Sequence, residues 1–416
     1  MAIEYFVLKS TPGDGGVRTG FKSRRFKTTS ADGVETLDVS DHMADISSER
    51  LSKKEFTEAL ADPTLHLFPV MPVSLVSPVS KQDYGILGDK DPLSEALNLK
   101  ASWGISAMLD GDGGGATGAN VNVAVLDSGI LRGHAAFSGI KSWICQDFTG
   151  QGGEDVTDEQ GHGTHCAGTI FGQDVNGTRI GVSKGVQTAI VGKVIDSAGH
   201  GTASSLLNGL KWAKDKGANV ISMSIGFDFP RMQENLVDDG VPAKLATSIA
   251  LTAYRENLRL FEGVLSELSH ESSYLSMTGL VVVAAAGNES MRQVNERLVI
   301  DCSFPAVCSP DIIAVGAVSY ADDKYKVAPF SNANPTVCAP GVDIVSAGRD
   351  QPLSAMSGTS MACPHVSGVA ALWWERLGSA ATGRSVRAKI LASASRARFP
   401  EDSKSSDIGL GLVSFR

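Results

Sequence analysis

Short apolar runs alternate with amphipathic segments through most of the chain. The run VNVAVLDSGI (residues 121–130) is rich in β-branched residues, which is typical of a strand buried in a parallel sheet. The amphipathic segment SSLLNGLKWAKDKG (204–217) predicts a helix, and LVVVAAAGN (280–288) predicts another buried strand. The stretch MACPHVSGVAALWWERLG (361–378) predicts a late, apolar helix. This alternation predicts an α/β fold with a mostly parallel central sheet and helices on both faces.

The first 82 residues follow a different pattern. They contain a predicted strand (IEYFVLKS), a helix start signal (SSERLSKKEFTEALAD) and an extended segment punctuated by prolines (LHLFPVMPVSLVSPVS). We therefore predict a small α+β region at residues 1–82 and a main domain at residues 83–416. Residues 228–278 are longer than a one-helix crossover needs, so we expect a helical insertion there, with a role in specificity or regulation.

Composition narrows the class of partner. The 416 residues are 42% hydrophobic and 20% charged, which fits a soluble globular protein. The net charge of −9 argues against a nucleic-acid partner, because phosphate binding needs a basic surface. No run reaches the roughly 18 apolar residues of a membrane span, and the first residues lack the features of a secretory signal. The sequence thus predicts a cytoplasmic protein, with unconventional export left open.

The six cysteines include no CxxC pair, so a four-cysteine zinc site is not predicted. We expect mostly reduced thiols, as in a reducing compartment. Cys302 and Cys308 are close enough in sequence for a local disulfide if the protein meets an oxidising environment.

Three polar residues lie where a predicted strand ends or a predicted helix begins. Asp127 ends the first strong strand, His162 lies between glycines in GHGTHCAG, and Ser360 opens the apolar helix in SGTSMACPH. Each has an ordinary structural alternative, since Asp and Ser often cap turns or helices and a lone His is usually structural. His165 forms an HxxH pair with His162, but the glutamate of the HExxH zinc motif is absent. A serine at a helix start gains reactivity, because the helix dipole and free N–H groups stabilise negative charge.

Four sequence blocks together resemble one enzyme family. DSG with Asp127, GHGTHCAG with His162 and GTSMACPH with Ser360 follow in the order Asp, His, Ser, and they closely resemble the signature blocks of the subtilases. The block VVVAAAGNES resembles the segment that supplies a side-chain oxyanion donor, which implies that role for Asn288. The resemblance covers about residues 95 to 395 and leans toward the proteinase K branch. It implies a serine endopeptidase in which Ser360 attacks a peptide carbonyl, His162 transfers the proton and Asp127 orients the imidazole.

The resemblance also implies how a substrate is held. In the subtilases two segments pair with the backbone of an extended substrate, and small residues line the pocket for the side chain before the scissile bond. The matching positions here are Ser224, Ile225 and Gly226, then Ala198, Gly199 and Gly201, and for the pocket Ala285, Ala286 and Gly287. Small pocket residues leave room for a sizeable apolar side chain.

The family implies no cofactor for catalysis, and calcium is left open as a structural ion. Many subtilases bind calcium through a carboxylate soon after the DSG block and a loop after the histidine helix. Ala136 occupies the first position here, while Asp174 and Asn176 keep oxygen donors in the loop. The usual high-affinity site is therefore predicted to be incomplete.

The first 82 residues weakly resemble the inhibitory propeptide of the subtilases. We expect this region to inhibit its own active site, with self-cleavage between about residues 75 and 90; the alternative is a permanent docking domain. The expected partners are protein or peptide substrates, and a maturation or processing role is a narrower form of the same hypothesis. Two rival functions remain: a pseudo-peptidase that binds peptides without cutting them, and a metal-dependent hydrolase built on His162 and His165.

Overall fold

The computed structural model describes residues 4–9, 28–29, 35–36, 46–51, 53–62, 65–80, 91–109, 111, 113–150, 152–269 and 279–416. Its strands are β1 Glu4–Lys9, β2 Thr28–Thr29, β3 Glu35–Thr36, β4 Ile46–Arg50, β5 Leu65–Pro69, β6 Pro72–Leu75, β7 Asn122–Asp127, β8 Ser142–Asp147, β9 Thr188–Lys193, β10 His200–Thr202, β11 Val220–Met223, β12 Ile225–Phe227, β13 Val281–Ala285, β14 Ile313–Ala321, β15 Lys324–Val327, β16 Val337–Pro340, β17 Ile344–Ala347 and β18 Leu353–Met356. Its helices are α1 Lys53–Ala61, α2 Pro92–Leu99, α3 Trp103–Met108, α4 His162–Phe171, α5 Ala203–Asp215, α6 Phe229–Asp238, α7 Ala243–Ser269, α8 Thr359–Leu377, α9 Gly383–Ser393 and α10 Ser405–Ile408.

The larger sheet runs in the order β15-β14-β13-β11-β7-β9-β8, with β16 paired to β14. Its pairings are parallel except the one between β14 and β15. The central strands β7, β11 and β13 are almost entirely buried runs of Val, Ile, Leu and Ala, because both faces of a parallel sheet are covered. Helices α4, α5 and α8 pack against these strands. The predicted α/β fold with a mostly parallel sheet is confirmed.

The carboxyl ends of neighbouring parallel strands meet at one edge of this sheet. Strand β7 ends at Asp127, β11 ends directly before Ser224, and β13 ends three residues before Asn288. Helix α4 begins at His162, and α8 begins one residue before Ser360. Ligands of open α/β sheets bind at this kind of edge.

A smaller sheet has the order β10-β6-β12. Strand β6 runs antiparallel to β12, with Leu75 opposite Ile225 and Ser74 opposite Gly226. A segment from the predicted N-terminal region thus lies between two strands of the main domain.

Contacts divide the chain into two compact units. The first comprises Met1–Pro72 and Asp228–Val264, and the second comprises Val73–Phe227 and Leu265–Arg416. The predicted boundary after residue 82 lies outside the described residues, as do residues 270–278 of the predicted insertion. The described part of that insertion is helical over α6 and α7, and most of it groups with the N-terminal region.

The first unit contains an antiparallel sheet of order β4-β1-β5. The rings of Phe6 on β1 and Phe68 on β5 lie 5.4 Å apart, and both side chains are buried. Residues 46–50 form β4 by pairing with β1, which the sequence did not predict. The segment SSERLSKKEFTEALAD, which carries the helix start signal, does contain the start of α1. The helix begins only at Lys53.

Within the described part of the chain, no helix combines the length and apolarity that a bilayer crossing requires.

Candidate active site

Asp127 and His162 form a buried pair. Asp127 follows the buried strand β7, and His162 is the first residue of α4. His162 Nδ1 lies 2.7 Å from Asp127 Oδ1, and each residue is at most 3% exposed. Burial alone would lower the pKa of His162, but the charge of Asp127 and its hydrogen bond outweigh burial, so the pKa is raised above its ordinary value. Asp127 therefore orients the ring and stabilises the imidazolium.

The turn after Asp127 requires glycine. Gly129 has a φ of +115°, and a Cβ there would lie 2.2 Å from the Val156 carbonyl oxygen. The DSG block is thus fixed by a close backbone approach as well as by its carboxylate.

A second buried carboxylate, that of Asp158, organises the start of α4 and was missed by the sequence reasoning. Its Oδ2 accepts hydrogen bonds from the N–H and hydroxyl of Thr164, at 2.8 and 2.7 Å. Its Oδ1 accepts from the Gly161 N–H at 2.8 Å and from the Ser128 hydroxyl at 2.9 Å. Burial would raise the pKa of Asp158, but these donors lower it below its ordinary value, so the group is an anion. Its charge also contributes to the raised pKa of His162. An Asp four residues before His162, at the start of a predicted helix, is the signal that could have identified it.

His165 lies one helical turn after His162 but has a different environment. Its Nε2 lies 3.0 Å from the Ile344 carbonyl oxygen and 3.2 Å from that of Ser354. Burial lowers the pKa of His165 to about 3, so the ring is neutral. The two histidines of the HxxH pair thus bond to different groups and do not converge on a shared metal position.

One group of metal-ligating residue types occurs among the described residues: Asp127, His162 and Cys166, whose ligand atoms lie within 4.8 Å of one another. Asp127 Oδ1 and His162 Nδ1 are already bonded to each other, and the Cys166 thiol donates to the Ser360 carbonyl oxygen at 3.3 Å. Burial raises the pKa of the Cys166 thiol well above its ordinary value, so it is protonated. Hydrogen bonds between the residues account for this group without an ion.

Ser360 lies on the first turn of α8, and its side chain is completely buried. Its Oγ donates a hydrogen bond to the Val76 carbonyl oxygen at 2.5 Å. His162 Nε2 has no hydrogen-bond partner among the described residues, so the structure does not join Ser360 to His162 by a hydrogen bond. The unsatisfied nitrogen is the one that would accept a proton from a nucleophile.

Asn288 is held in one orientation by Thr359. Its Oδ1 accepts hydrogen bonds from the Thr359 N–H at 2.8 Å and from the Thr359 hydroxyl at 2.9 Å. Because the carbonyl end of the amide takes both donors, Nδ2 must point the other way, and it donates to the Ser77 carbonyl oxygen at 2.8 Å. A Cβ at Gly358 would lie 2.9 Å from this Nδ2, so the residue before α8 has no room for a side chain.

Residues 73–79 extend through the predicted substrate-binding segments. The Val76 N–H donates to the Ser224 carbonyl oxygen at 3.0 Å, and the Leu75 N–H donates to that of Gly199 at 3.3 Å. Further along, the Val79 N–H donates to the Ser357 carbonyl oxygen at 2.9 Å. The structure thus brings Ser224, Ile225 and Gly226 to one side of β6 and the segment containing Ala198, Gly199 and Gly201 to the other.

The predicted pocket residues Ala285, Ala286 and Gly287 are joined to other parts of the second unit. Ala286 donates its N–H to the Val315 carbonyl oxygen, and Gly287 donates to the Thr359 hydroxyl. None of the three is hydrogen-bonded to residues 73–80 in the described chain. All three are buried, and they directly precede Asn288 in the sequence.

All six cysteines are free thiols in the structure, including Cys302 and Cys308. Cys308 donates its thiol to the Pro305 carbonyl oxygen at 3.0 Å. Burial raises the pKa of Cys302 to about 12, so its thiol is protonated and unreactive at neutral pH.

The residues at the usual calcium position do not fit a high-affinity site. Ala136 is completely buried and offers no side-chain oxygen. Asp174 is already paired with Lys184, whose Nζ lies 2.8 Å from its carboxylate. Calcium needs six to eight oxygen ligands, commonly with several carboxylates, and the loop does not assemble them.

Comparison with known proteins places this geometry in a family. A sequence model of the subtilase family matches residues 118–411. The chain is 34% identical to subtilisin DY from Bacillus licheniformis over 262 residues, which cover 62% of this chain and 78% of the relative. It is 30% identical to M-protease from Shouchella clausii (strain KSM-K16) over 357 residues, which cover 82% of this chain and 76% of the relative.

Solved structures agree at the level of the fold. Fervidolysin from Fervidobacterium pennivorans, a keratinolytic enzyme related to subtilisin, matches with a TM-score of 0.62 at 23% identity. The match covers 89% of this chain and 55% of the fervidolysin chain. The family match and the two relatives agree with the positions of Asp127 at the end of β7 and of His162 and Ser360 at the starts of α4 and α8. The chain belongs to the subtilase family and is a subtilisin-like serine peptidase.

Proposed function

We propose that the chain is an endopeptidase in which Ser360 is the nucleophile, His162 the general base and Asp127 the residue that orients the base. The observation that carries this proposal is the contact of Ser360 Oγ with the carbonyl of an extended peptide segment, next to a buried Asp127–His162 pair. A catalytic serine needs both a peptide carbonyl within reach and a neutral base.

The proposed reaction has two halves. Ser360 Oγ attacks the carbonyl carbon while His162 Nε2 takes its proton, and the carbonyl oxygen becomes an oxyanion. Asn288 Nδ2 and the Ser360 N–H are the proposed donors to that oxyanion. His162 then gives its proton to the leaving amine, which departs with the C–N bond electrons and leaves an acyl-enzyme. Water, deprotonated by His162, hydrolyses the ester and restores Ser360.

We further propose that the N-terminal region inhibits this site as a bound, unreacted segment. The register of β6 on β12 and the Val76 contact with Ser224 favour Val76–Ser77 as the bond next to Ser360. Ser360 Oγ donates to the oxygen of Val76, whereas Asn288 bonds to the oxygen of Ser77. Nucleophile and oxyanion donor thus act on adjacent carbonyls, so a small shift must precede cleavage. Cleavage there would fall in the range predicted from the sequence.

Substrates are proposed to be extended protein or peptide segments. The contacts that hold residues 73–79 run mainly through backbone atoms, which gives affinity with little sequence preference. The small residues at positions 285–287 favour an apolar side chain before the cut. A maturation role would require a dedicated partner, and the backbone contacts favour general endopeptidase activity instead.

The test is the intact mass of wild-type protein, the Ser360→Ala variant and the Ser367→Ala variant after incubation with a fluorophosphonate probe. Ser367 is a matched control, because it lies on the same helix and its hydroxyl donates to the Cys363 carbonyl oxygen. We expect one adduct and loss of residues 1–76 in wild type and in Ser367→Ala, and neither change in Ser360→Ala. Full-length, unlabelled wild type that stays inert toward peptide substrates would favour the pseudo-peptidase.

A further inference from the structure

Asn332 is a completely buried polar residue that the proposed reaction does not use. Its Oδ1 accepts hydrogen bonds from the Glu289 N–H and the Ser290 N–H, each at 3.1 Å. Its own N–H donates to the Gly287 carbonyl oxygen at 3.1 Å, and its Nδ2 donates to the Ala286 carbonyl oxygen at 3.2 Å. The backbone on both sides of position 288 is therefore bonded to this one asparagine.

The Glu289 carboxylate fixes the orientation of the Asn332 amide. Asn332 Nδ2 donates to Glu289 Oε2 at 2.6 Å, and the Ser303 hydroxyl donates to the same oxygen at 3.3 Å. A carboxylate accepts hydrogen bonds and backbone N–H groups donate them, so the amide satisfies both sets of partners in one orientation. A bond to a charged acceptor is also stronger than a neutral one.

These polar side chains meet against Gly287. A Cβ on Gly287 would lie 2.3 Å from Asn332 Nδ2 and 2.5 Å from both Glu289 Oε2 and the Ser303 hydroxyl oxygen. The position therefore has no room for a side chain, and the network directly contacts the backbone that leads into Asn288. In so closely packed a site, a displaced Asn332 amide displaces this backbone as well.

Thr359 holds the same turn from α8. Its hydroxyl accepts a hydrogen bond from the Gly287 N–H at 3.0 Å and donates to Asn288 Oδ1 at 2.9 Å. Thr359 thus fixes the side chain of Asn288, and Asn332 fixes the backbone around it. Both are needed, because a donor stabilises an oxyanion well when it is held within about 0.5 Å of the productive position before the reaction.

We propose that Asn332 is a positioning residue for the oxyanion hole, which holds the Asn288 backbone so that Asn288 Nδ2 meets the developing negative charge. This inference rests on the proposed function, because Asn332 acts through Asn288. The alignment of this donor matters more in the transition state than in the bound ground state. Loss of Asn332 should therefore lower kcat and leave KM nearly unchanged.

The first variant, Asn332→Asp, keeps the shape of the side chain and its acceptor oxygen but places a second carboxylate oxygen against Glu289. We expect kcat for a peptide anilide to fall about 30-fold, with KM within about twofold of the wild-type value. Complete labelling with a fluorophosphonate gives the concentration of active enzyme, so misfolded protein does not enter kcat.

The matched control is Asn334→Asp. Asn334 Nδ2 also donates to a carboxylate, that of Asp301, at 2.6 Å, but this pair is exposed. The same chemical change at this pair should leave kcat and KM unchanged.

A double variant tests the proposed partner of Asn332. Asn332→Asp combined with Glu289→Gln restores the hydrogen bond with donor and acceptor exchanged, so kcat should recover at least about fivefold over Asn332→Asp. Glu289→Gln alone should stay within about twofold of wild type, because its amide oxygen still accepts from Asn332. A residue that only supports folding would change the amount of active enzyme and not its kcat. Absence of recovery in the double variant would overturn the proposal.

Asn332→Ala keeps the test open if Asn332→Asp does not fold, because it adds no buried charge. Its kcat should fall about tenfold, since two buried N–H groups lose their acceptor and the turn shifts. A kcat equal to that of wild type would overturn the proposal by itself. A failure of the proposed function would look different, because the wild-type chain would then hydrolyse no peptide. A failure of this inference alone leaves the wild type active and the Asn332 variants equal to it.

Discussion

The two helices that begin at the active site differ in the group that accepts hydrogen bonds from their first N–H groups, which is a carboxylate at α4 and a neutral amide at α8. At α4, the Asp158 carboxylate accepts hydrogen bonds from the N–H groups of Gly161 and Thr164. At α8, the Thr359 N–H is bonded by the neutral amide of Asn288, and no acidic residue lies in the first turn. The amino end of a helix carries partial positive charge and attracts an anion.

This difference divides the chemistry between the two helix ends. A permanent anion at α4 fixes the first turn and favours the charged form of His162. No acidic residue lies in the first turn of α8, so in the proposed reaction its positive potential is available to the negative charge that develops at a substrate carbonyl.

The largest effect is expected from placing a carboxylate at the start of α8. Asn288→Ala should reduce kcat about 100- to 1,000-fold with little change in KM, a magnitude taken from subtilisin itself. Asn288→Asp should be worse than Asn288→Ala, because an acceptor replaces the donor and repels the oxyanion. Steady-state hydrolysis of a peptide anilide measures both variants. Equal kcat values for Asn288→Ala and Asn288→Asp across the pH range would show that a negative charge at this helix end does not affect turnover.

The second prediction concerns the pH dependence of stability. Each of the two helices contains a buried, neutral histidine, His165 in α4 and His365 in α8. Burial lowers the pKa of His165 to about 3 and that of His365 to about 4. Below about pH 6.5 the unfolded chain binds protons that the folded chain does not, so the free energy of unfolding falls as the pH falls. The slope should approach about 1.4 kcal/mol per pH unit for each histidine, or roughly 100-fold in the folding equilibrium per histidine across two pH units.

Urea unfolding of Ser360→Ala protein between pH 4.5 and 7 measures this slope. His365→Asn keeps a donor for the Met361 carbonyl oxygen, which His365 Nδ1 now contacts at 2.8 Å, and should remove about one proton from the slope. If the slope of the unfolding free energy with pH is the same in this variant, His365 binds its proton equally well in the folded and the unfolded protein.

Removing the anion from α4 should have a smaller effect on turnover. Asp158→Asn should lower kcat/KM about tenfold at its plateau, because the start of α4 loses charge-assisted hydrogen bonds and His162 is less well positioned. Loss of a negative charge destabilises the imidazolium, so the pKa of His162 falls and the acid limb of the profile moves to lower pH. Glu159→Gln is the control, since Glu159 is mostly exposed. If the acid limb of the kcat/KM profile does not move in Asp158→Asn, the Asp158 charge has a purely structural role.

The smallest effect is expected at Ser128, which connects the two carboxylates. Its hydroxyl lies 2.9 Å from Asp158 and 3.3 Å from Asp127, and it accepts from the Gly163 N–H at 3.1 Å. Ser128→Ala should lower kcat/KM about threefold, because Asp158 loses one donor but keeps those of Gly161 and Thr164. A loss as large as that of Asp158→Asn would show that Ser128, and not the Asp158 charge, organises the start of α4.

The elements that sequence could predict are those with a strong local pattern. Buried parallel strands such as β7 and β13 are continuous apolar runs, and Asp127 and Ser360 lie in long blocks where glycine and the polar residue must occur together. The role of Asp158 could not be predicted, because an aspartate in the polar stretch TDEQ resembles a surface carboxylate in the sequence and becomes buried only in the folded protein. Strand β4 was not predicted because Ser47, Ser48 and Glu49 are polar and carry no strand pattern, and pairing with β1 determines their structure.

The way residues 73–79 are held has a consequence for how this region changes in evolution. Three of its contacts join main-chain atoms alone, from Leu75 to Gly199, from Val76 to Ser224 and from Val79 to Ser357. Such contacts place little constraint on side chains, so relatives can replace much of the segment and still occupy the same groove. We therefore expect sequence identity among relatives to decay faster in this segment than in the main domain. Relatives that share this arrangement are better recognised by strand register than by alignment of residues.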